Sequence, residues 1–351
     1  MASDNDDILN MVDEQRRKAD TLNMKGLIIQ PGAIGDCVLT LPLACAMKAK
    51  LGLGSVEILG HTEYIGFFPS RTCVDKVRSI DCLGLNRLFV DSDSFVVEDG
   101  DVLINAFAGY DWIVSFLGGE ESDFEKNLVF TVHCIRNSEV ISLALRPPEN
   151  YGGHVLDFYG ERMNAQTLID ISRKICDRKR QFIRATESDV LRGKEILFEA
   201  GIAEGSRVAV MQPGSGGRHK CWALENFSTV ARRLREAGME TIFLIGPAER
   251  ERLTGREISS IASAGVVIEG QSLLGAVCLL ANASCYIGND SGLGHIAGAM
   301  GVDTYVIFGP TNPAVYEPCG TRVRIFRGES GDFTGEFDKG TVEKLISAIL
   351  G

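Results

Sequence analysis

The sequence predicts an α/β protein built from two domains, each a parallel sheet made of strand–turn–helix units. Three observations predict it. Short apolar runs alternate with helical patterns along most of the chain, the signature of βα units and a parallel sheet. Glycine-rich turns follow three strand-like runs, at 31–35, 213–217 and 288–294. The length, 351 residues, exceeds one ordinary core, so two domains are expected.

Residues 1–23 are polar and charged and read as an N-terminal extension. The first domain spans 24–180. It opens with a strand at 27–30 and the turn at 31–35. Asp36 follows at an N-cap position, and a helical pattern starts at Val38. Pro42 sits awkwardly inside that pattern, predicting a kink or a distorted first turn. Strands follow at 55–59, 76–80, 101–105 (D-V-L-I-N) and 128–132. A turn-rich break at 150–153 leads to a helix or connection at 154–168.

Residues 181–206 are charged and largely helical and read as a linker. The second domain, 207–351, has the more regular spacing. Strands are expected at 208–211, 241–245, 266–269, 285–287, 304–308 and 323–325. Helices are expected at 224–237, around 250–252, and at 273–281, 292–300 and 342–350. Gly238 closes the first of these. The last helix is expected either to stay on this domain or to lean back on the first.

Composition narrows the function. Hydrophobic residues make up 45% and charged residues 24%, as in a globular enzyme or binding protein. A formal net charge of -11 disfavours a nucleic-acid backbone as partner. It leaves room for a small anion, which needs only a few N–H groups and one lysine. The ten cysteines are scattered and form no C-x-x-C pair. They read as thiols in a reducing compartment, the cytoplasm. The chain begins M-A-S-D-N-D-D, without an apolar leader, and no run reaches 18 apolar residues, so no spanning helix is expected. Work on a membrane-bound substrate at the cytoplasmic face of an inner membrane stays open.

The chemistry concentrates at the glycine turns. In V-A-V-M-Q-P-G-S-G-G, 208–217, a buried strand runs into residues that let the backbone approach a ligand closely. Free N–H groups and a following helix make such a place an anion site. Ser215, Gly216 and Gly217 would supply N–H groups, and Lys220 a point charge. Lys220 and His219 could equally be the solvated start of a helix. Asp36 can be a helix cap or a general base facing an interdomain cleft. Glu249, just past the second strand of its domain, can hold ribose hydroxyls or simply charge a first helical turn. In N-D-S-G, 289–292, Asp290 can cap a helix while Ser291 and Gly292 present N–H groups to an anion. His295 is either a structural histidine or a ligand contact. Trp222 stacks on a base or packs the core.

Other motifs fail. The first turn lacks a full G-x-G-x-x-G, no P-loop is present, and neither H-E-x-x-H nor cysteine–histidine metal spacing occurs. No G-x-S-x-G elbow surrounds Ser291.

These stretches carry a family resemblance. P-G-A-I-G-D-C-V-L-T-L-P (31–42), Q-P-G-S-G-G-R-H-K-C-W (212–222), G-N-D-S-G-L-G-H-I-A-G-A (288–299) and F-G-P-T-N-P (308–313) occur in order. With them the chain, over 24–345, resembles the lipopolysaccharide heptosyltransferases, the ninth glycosyltransferase family. The resemblance implies a GT-B fold, two Rossmann-like domains with parallel sheets facing across a cleft. It implies an inverting, metal-independent transferase without a cofactor. The donor is a nucleotide-diphosphate sugar, with ADP-heptose favoured, bound by the second domain. The acceptor is a glycan or lipid-linked glycan on the first. Asp36 falls on the family's catalytic aspartate, Lys220 on its phosphate-binding lysine, Glu249 on its ribose-binding glutamate, and Asp290 on the aspartate of its last glycine motif. One departure stands out: Ala223 replaces the proline of the usual K-x-W-P, which bears on donor identity. A nucleotide-sugar epimerase and a non-catalytic nucleotide-binding scaffold are the alternatives. A hexose in place of heptose is a further one.

Overall fold

A computed structural model describes residues 24–167, 169–171, 175, 177–328 and 333–351; the N-terminal extension, 1–23, lies outside them. The described chain forms two compact units. Each holds one sheet whose paired strands are all parallel, so the expected pair of Rossmann-like sheets is present.

The first sheet contains β1 (Lys25–Gln30), β2 (Ser55–Gly60), β3 (Lys76–Ser79), β4 (Trp112–Ser115) and β5 (Glu139–Ser142), in the order β3-β2-β1-β4-β5. Two expected strands are helices. D-V-L-I-N lies in the helix Val102–Phe107, because the Asp101 carboxylate accepts from the Leu103 N–H at 2.9 Å and caps it. Residues 128–132 lie inside the amphipathic helix Asp123–His133, capped by Ser122. The strands that take their places in the sheet, β4 and β5, are four residues long each.

Pro42 is not a kink. One helix runs Ile34–Leu39, and a second begins at Leu41 with Pro42 in its first turn, where a missing N–H costs nothing. Gln30 fixes this junction. Its side chain donates to the Thr40 hydroxyl at 2.6 Å and accepts from the Gly32 N–H at 2.9 Å.

The second sheet contains β6 (Val208–Gln212), β7 (Glu240–Ile245), β8 (Val266–Glu269), β9 (Cys285–Asn289), β10 (Asp303–Phe308) and β11 (Val323–Arg327), in the order β11-β10-β9-β6-β7-β8. Strand order therefore reverses between β6 and β9, which makes a crevice at their carboxyl ends. The helix Leu224–Glu236 packs its Phe227, Val230, Ala231 and Leu234 face on this sheet, spaced as a helix demands, and Gly238 ends it at φ 79°.

Two boundaries differ from expectation. Residues 181–206 are not a linker: they carry the helix Glu187–Glu199 and belong to the second unit. Phe182 and Ile183 donate their N–H groups to the Ala299 carbonyl there. The last helix, Lys339–Leu350, belongs to the second unit. Its Val342, Leu345 and Ile346 sit in the core of the second unit, beside the Leu224–Glu236 helix. The second unit also takes in 33–39 and 150–154 from the first half of the chain. Among the described residues, no helix is long and apolar enough to cross a membrane.

Candidate active site

The turn after β6 and the one after β9 lie side by side, because Gln212 pairs with Gly288 in register. The first is held by its carbonyls. The Asn289 amide donates to Pro213 O at 2.7 Å and Gly214 O at 3.4 Å, and its own oxygen accepts from the Trp222 N–H at 2.9 Å. Arg252 donates to Ser215 O at 2.7 Å and Gly216 O at 3.0 Å. The Ser215 hydroxyl donates to Asp290 O at 2.5 Å, tying the two turns together. With the carbonyls occupied, the N–H groups of Gly216 and Gly217 have no backbone acceptor among the described residues. An anion would satisfy them.

Beyond β9 the helix Gly292–Ala299 begins, and its cap is Ser291, not Asp290: the Ser291 hydroxyl accepts from the Gly294 N–H at 3.4 Å. Asp290 turns elsewhere. Its carboxylate, 9% exposed, meets Lys220 Nζ at 3.0 Å and lies 3.9 Å from His295 Nε2. Lys220 and His219 do not start the helix either; they end a short 3-10 turn, Arg218–Lys220, and His219 is exposed, its ring folded over Gly217. His295 is buried, and its Nδ1 has no partner among the described residues. Burial lowers its pKa, opposed by the charges of Asp290 and Asp36, while Lys220 lowers it further.

Asp36 reaches the same neighbourhood. Its helix, Ile34–Leu39, packs on Gly292–Ala299: a Cβ at Gly35 would stand 3.1 Å from the His295 ring, and one at Gly292 would meet Ile34 at 2.5 Å. Asp36 is not the N-cap. It is the third helical residue, and its carboxylate reaches back to the Ala33 N–H at 2.9 Å.

Glu249 lies on the other side of the turn after β6. It is buried at 4% exposure and accepts from the Gly246 N–H at 2.9 Å, bracing the helix Pro247–Arg252. Gln212 Nε2 donates to its other oxygen at 3.1 Å. A Cβ on Gly214 would fall 1.7 Å from that oxygen, so only glycine fits. Beside Glu249 opens a pocket of about 110 Å³, lined in part by Pro213, Gly214, Arg218, Leu224 and Arg252. Trp222 borders it but packs edge-on against Phe227 in the core, at 1% exposure. Among the described residues, no group of three or more His, Cys, Asp or Glu converges as a metal would require.

The model of glycosyltransferase family 9 (heptosyltransferase) matches residues 171–346, half of the chain. The chain belongs to glycosyltransferase family 9. Lipopolysaccharide heptosyltransferase 3 of Escherichia coli is 31% identical over 161 residues, 44% of this chain and 46% of that one. The chain aligns with less than half the length of the curated relatives it matches. Two solved structures share the fold. A family 9 glycosyl transferase from Veillonella parvula DSM 2008 has a TM-score of 0.70 at 16% identity, covering 93% of this chain and 97% of that one. The E. coli ADP-heptose lps heptosyltransferase II has a TM-score of 0.65 at 15% identity, covering 93% and 98%.

Within this family 9 chain, one compact unit gathers Asp36, Ser215, Gly216, Gly217, Lys220, Glu249, Asp290, Ser291, Gly292 and His295. Sequence reasoning missed three residues that hold the site: Asn289 and Arg252, which fix the first turn, and Gln212, which touches both sides of it. Asn289 stood in the N-D-S-G run and Gln212 in the run 212–222, while Arg252 left no signal.

Proposed function

We propose that this chain is an inverting glycosyltransferase. It moves a sugar from a nucleoside-diphosphate sugar, with ADP-heptose favoured, to a glycan or lipid-linked glycan such as a lipopolysaccharide core. The observation that carries the proposal is the convergence at one sheet crossover of two anion-ready turns, Lys220, Glu249 and Asp36. Membership of family 9 and the names of the relatives support heptose, and likeness to the E. coli ADP-heptose heptosyltransferase supports ADP. On this reading the reaction runs in the cytoplasm, at the inner-membrane face when the acceptor is lipid-linked, and the first unit carries the acceptor.

In the proposed step the diphosphate lies on the N–H groups of Gly216, Gly217 and Gly292. Lys220 exchanges part of its pairing with Asp290 for the phosphates and steadies the charge that develops as they leave. Glu249 accepts from ribose hydroxyls. The Asp36 carboxylate takes the acceptor's proton as the new bond forms. A single displacement of this kind inverts the anomeric carbon.

Asp36→Asn tests the assignment, because asparagine still accepts from the Ala33 N–H but is no base. The expected result is turnover lower by roughly 10²–10⁴, with melting temperature and nucleotide Kd close to wild type. Turnover within a few-fold of wild type would make Asp36 a helix brace and nothing more. For the function itself, ADP-, UDP- and GDP-sugars are screened for released nucleotide, and the acceptor is weighed by mass spectrometry. A heavier acceptor supports the transferase. Release with an altered free sugar and an unchanged acceptor identifies an epimerase, and no release from any donor sinks both.

A further inference from the structure

Gln212 is the last residue of β6, and its side-chain amide spans the two halves of the site. Its oxygen accepts from the Tyr286 hydroxyl at 3.1 Å and from the Ser291 hydroxyl at 2.9 Å, and its nitrogen donates to Glu249 at 3.1 Å. The direction of the amide follows from chemistry. Glu249 is a carboxylate and only accepts, so the NH₂ must face it. The amide oxygen then faces Tyr286 and Ser291, whose hydroxyls also lie 3.2 Å from each other.

We infer that Gln212 is a positioning residue that sets the Glu249 carboxylate for a ribose and couples it to Ser291 at the head of the phosphate-facing helix. This rests on the nucleoside-diphosphate reading above. Glu249 has its two oxygens braced, one by Gly246 N–H and one by Gln212, with the Gly214 backbone closing the side. A carboxylate oxygen carries two lone-pair sites, so each can still accept from a hydroxyl. Without Gln212 the side chain keeps only its own helix cap. The same amide ties up the Ser291 hydroxyl, so a ribose seated on Glu249 and a phosphate seated at Gly292 are braced by one group.

The test is Gln212→Glu, an isostere that sets a second carboxylate against Glu249. Two carboxylates this close cannot both stay ionised without cost, and a shared proton relieves them as pH falls. ADP affinity is measured by calorimetry for wild type and variant from pH 5.5 to 8, with melting temperature followed in parallel. The expected Kd ratio of variant to wild type is about 10 or more at pH 8 and shrinks to about 3 or less at pH 5.5, one pH-linked proton accounting for the change. Gln212→Met, which makes neither bond, is expected to weaken ADP equally at every pH. A Gln212→Glu ratio that stays flat with pH, or stays near one, overturns the role of Gln212 while leaving the donor reading intact. Wild type that binds neither ADP, UDP nor GDP overturns the donor reading and the ribose role together.

Discussion

The imidazole of His295 is buried among Asp290, Asp36 and Lys220, and it is the site's titrating residue with a clear consequence for stability. Burial favours the neutral ring and sets its pKa below the ordinary 6.5, although Asp290 and Asp36 pull the other way. The unfolded chain then binds a proton near pH 6.5 that the folded chain refuses until lower pH. Stability contributed by the neutral ring is complete above 6.5 and is lost as pH falls below it. His295→Asn removes the titration. The plot of melting temperature against pH, from about 6.5 down to about 5, is expected to be shallower for the variant than for wild type. Equal slopes would show that the ring titrates as it does in the unfolded chain. Lys220 contributes to this balance, since its charge helps keep the ring neutral while it holds Asp290.

At the scale of elements, glycine separates local propensity from packing. Gly193 lies inside the helix Glu187–Glu199, where alanine would ordinarily stabilise by about 1 kcal/mol. A Cβ there would stand 2.0 Å from the Cys278 carbonyl oxygen and 2.2 Å from Asn282 Nδ2. Neither can retreat easily, because that amide already donates to Val190 O and Cys278 O at 3.0 Å each. Gly193→Ala is therefore expected to destabilise by roughly 1–3 kcal/mol, read as a lower melting temperature; a rise would mean that propensity wins. The same contrast explains what the sequence could reveal. Every expected strand of the second sheet is present, because each apolar run is bounded by a turn and followed by a helix. In the first sheet D-V-L-I-N misled, since a three-residue apolar run has no resolvable period and the deciding fact was the Asp101 cap. The glycine turns, Lys220 and Glu249 could be singled out because each stands in a local strand–turn–helix pattern with its sequence neighbours. The bonds that Gln212, Arg252 and Asn289 make could not be read, because their partners lie 37, 37 and 76 residues away.

On the scale of the whole molecule, the second unit is discontinuous, built from 33–39, 150–154 and 178–351. Where the chain is cut should therefore decide whether its site survives. A fragment 178–351 keeps Ile183, Ile196, Leu197 and Ile202, all buried, but loses the Ile34–Leu39 helix from Gly292 and His295. It also loses the bond from His154 Nε2 to Glu317 O at 2.9 Å. A fragment 207–351, starting where composition suggests a domain begins, loses those four aliphatic side chains as well. Each fully buried one is worth about 1.5–3 kcal/mol, so together they approach the 5–15 kcal/mol or so that stabilises a typical domain. The expected order of melting temperature is intact chain, then 178–351, with no cooperative transition for 207–351. Binding of ADP should weaken at the first cut, because the helix lost there packs directly on the residues that head the anion site. A 207–351 fragment that melts cooperatively at the temperature of 178–351 would show that the Glu187–Glu199 helix is an attachment and not part of the unit's core.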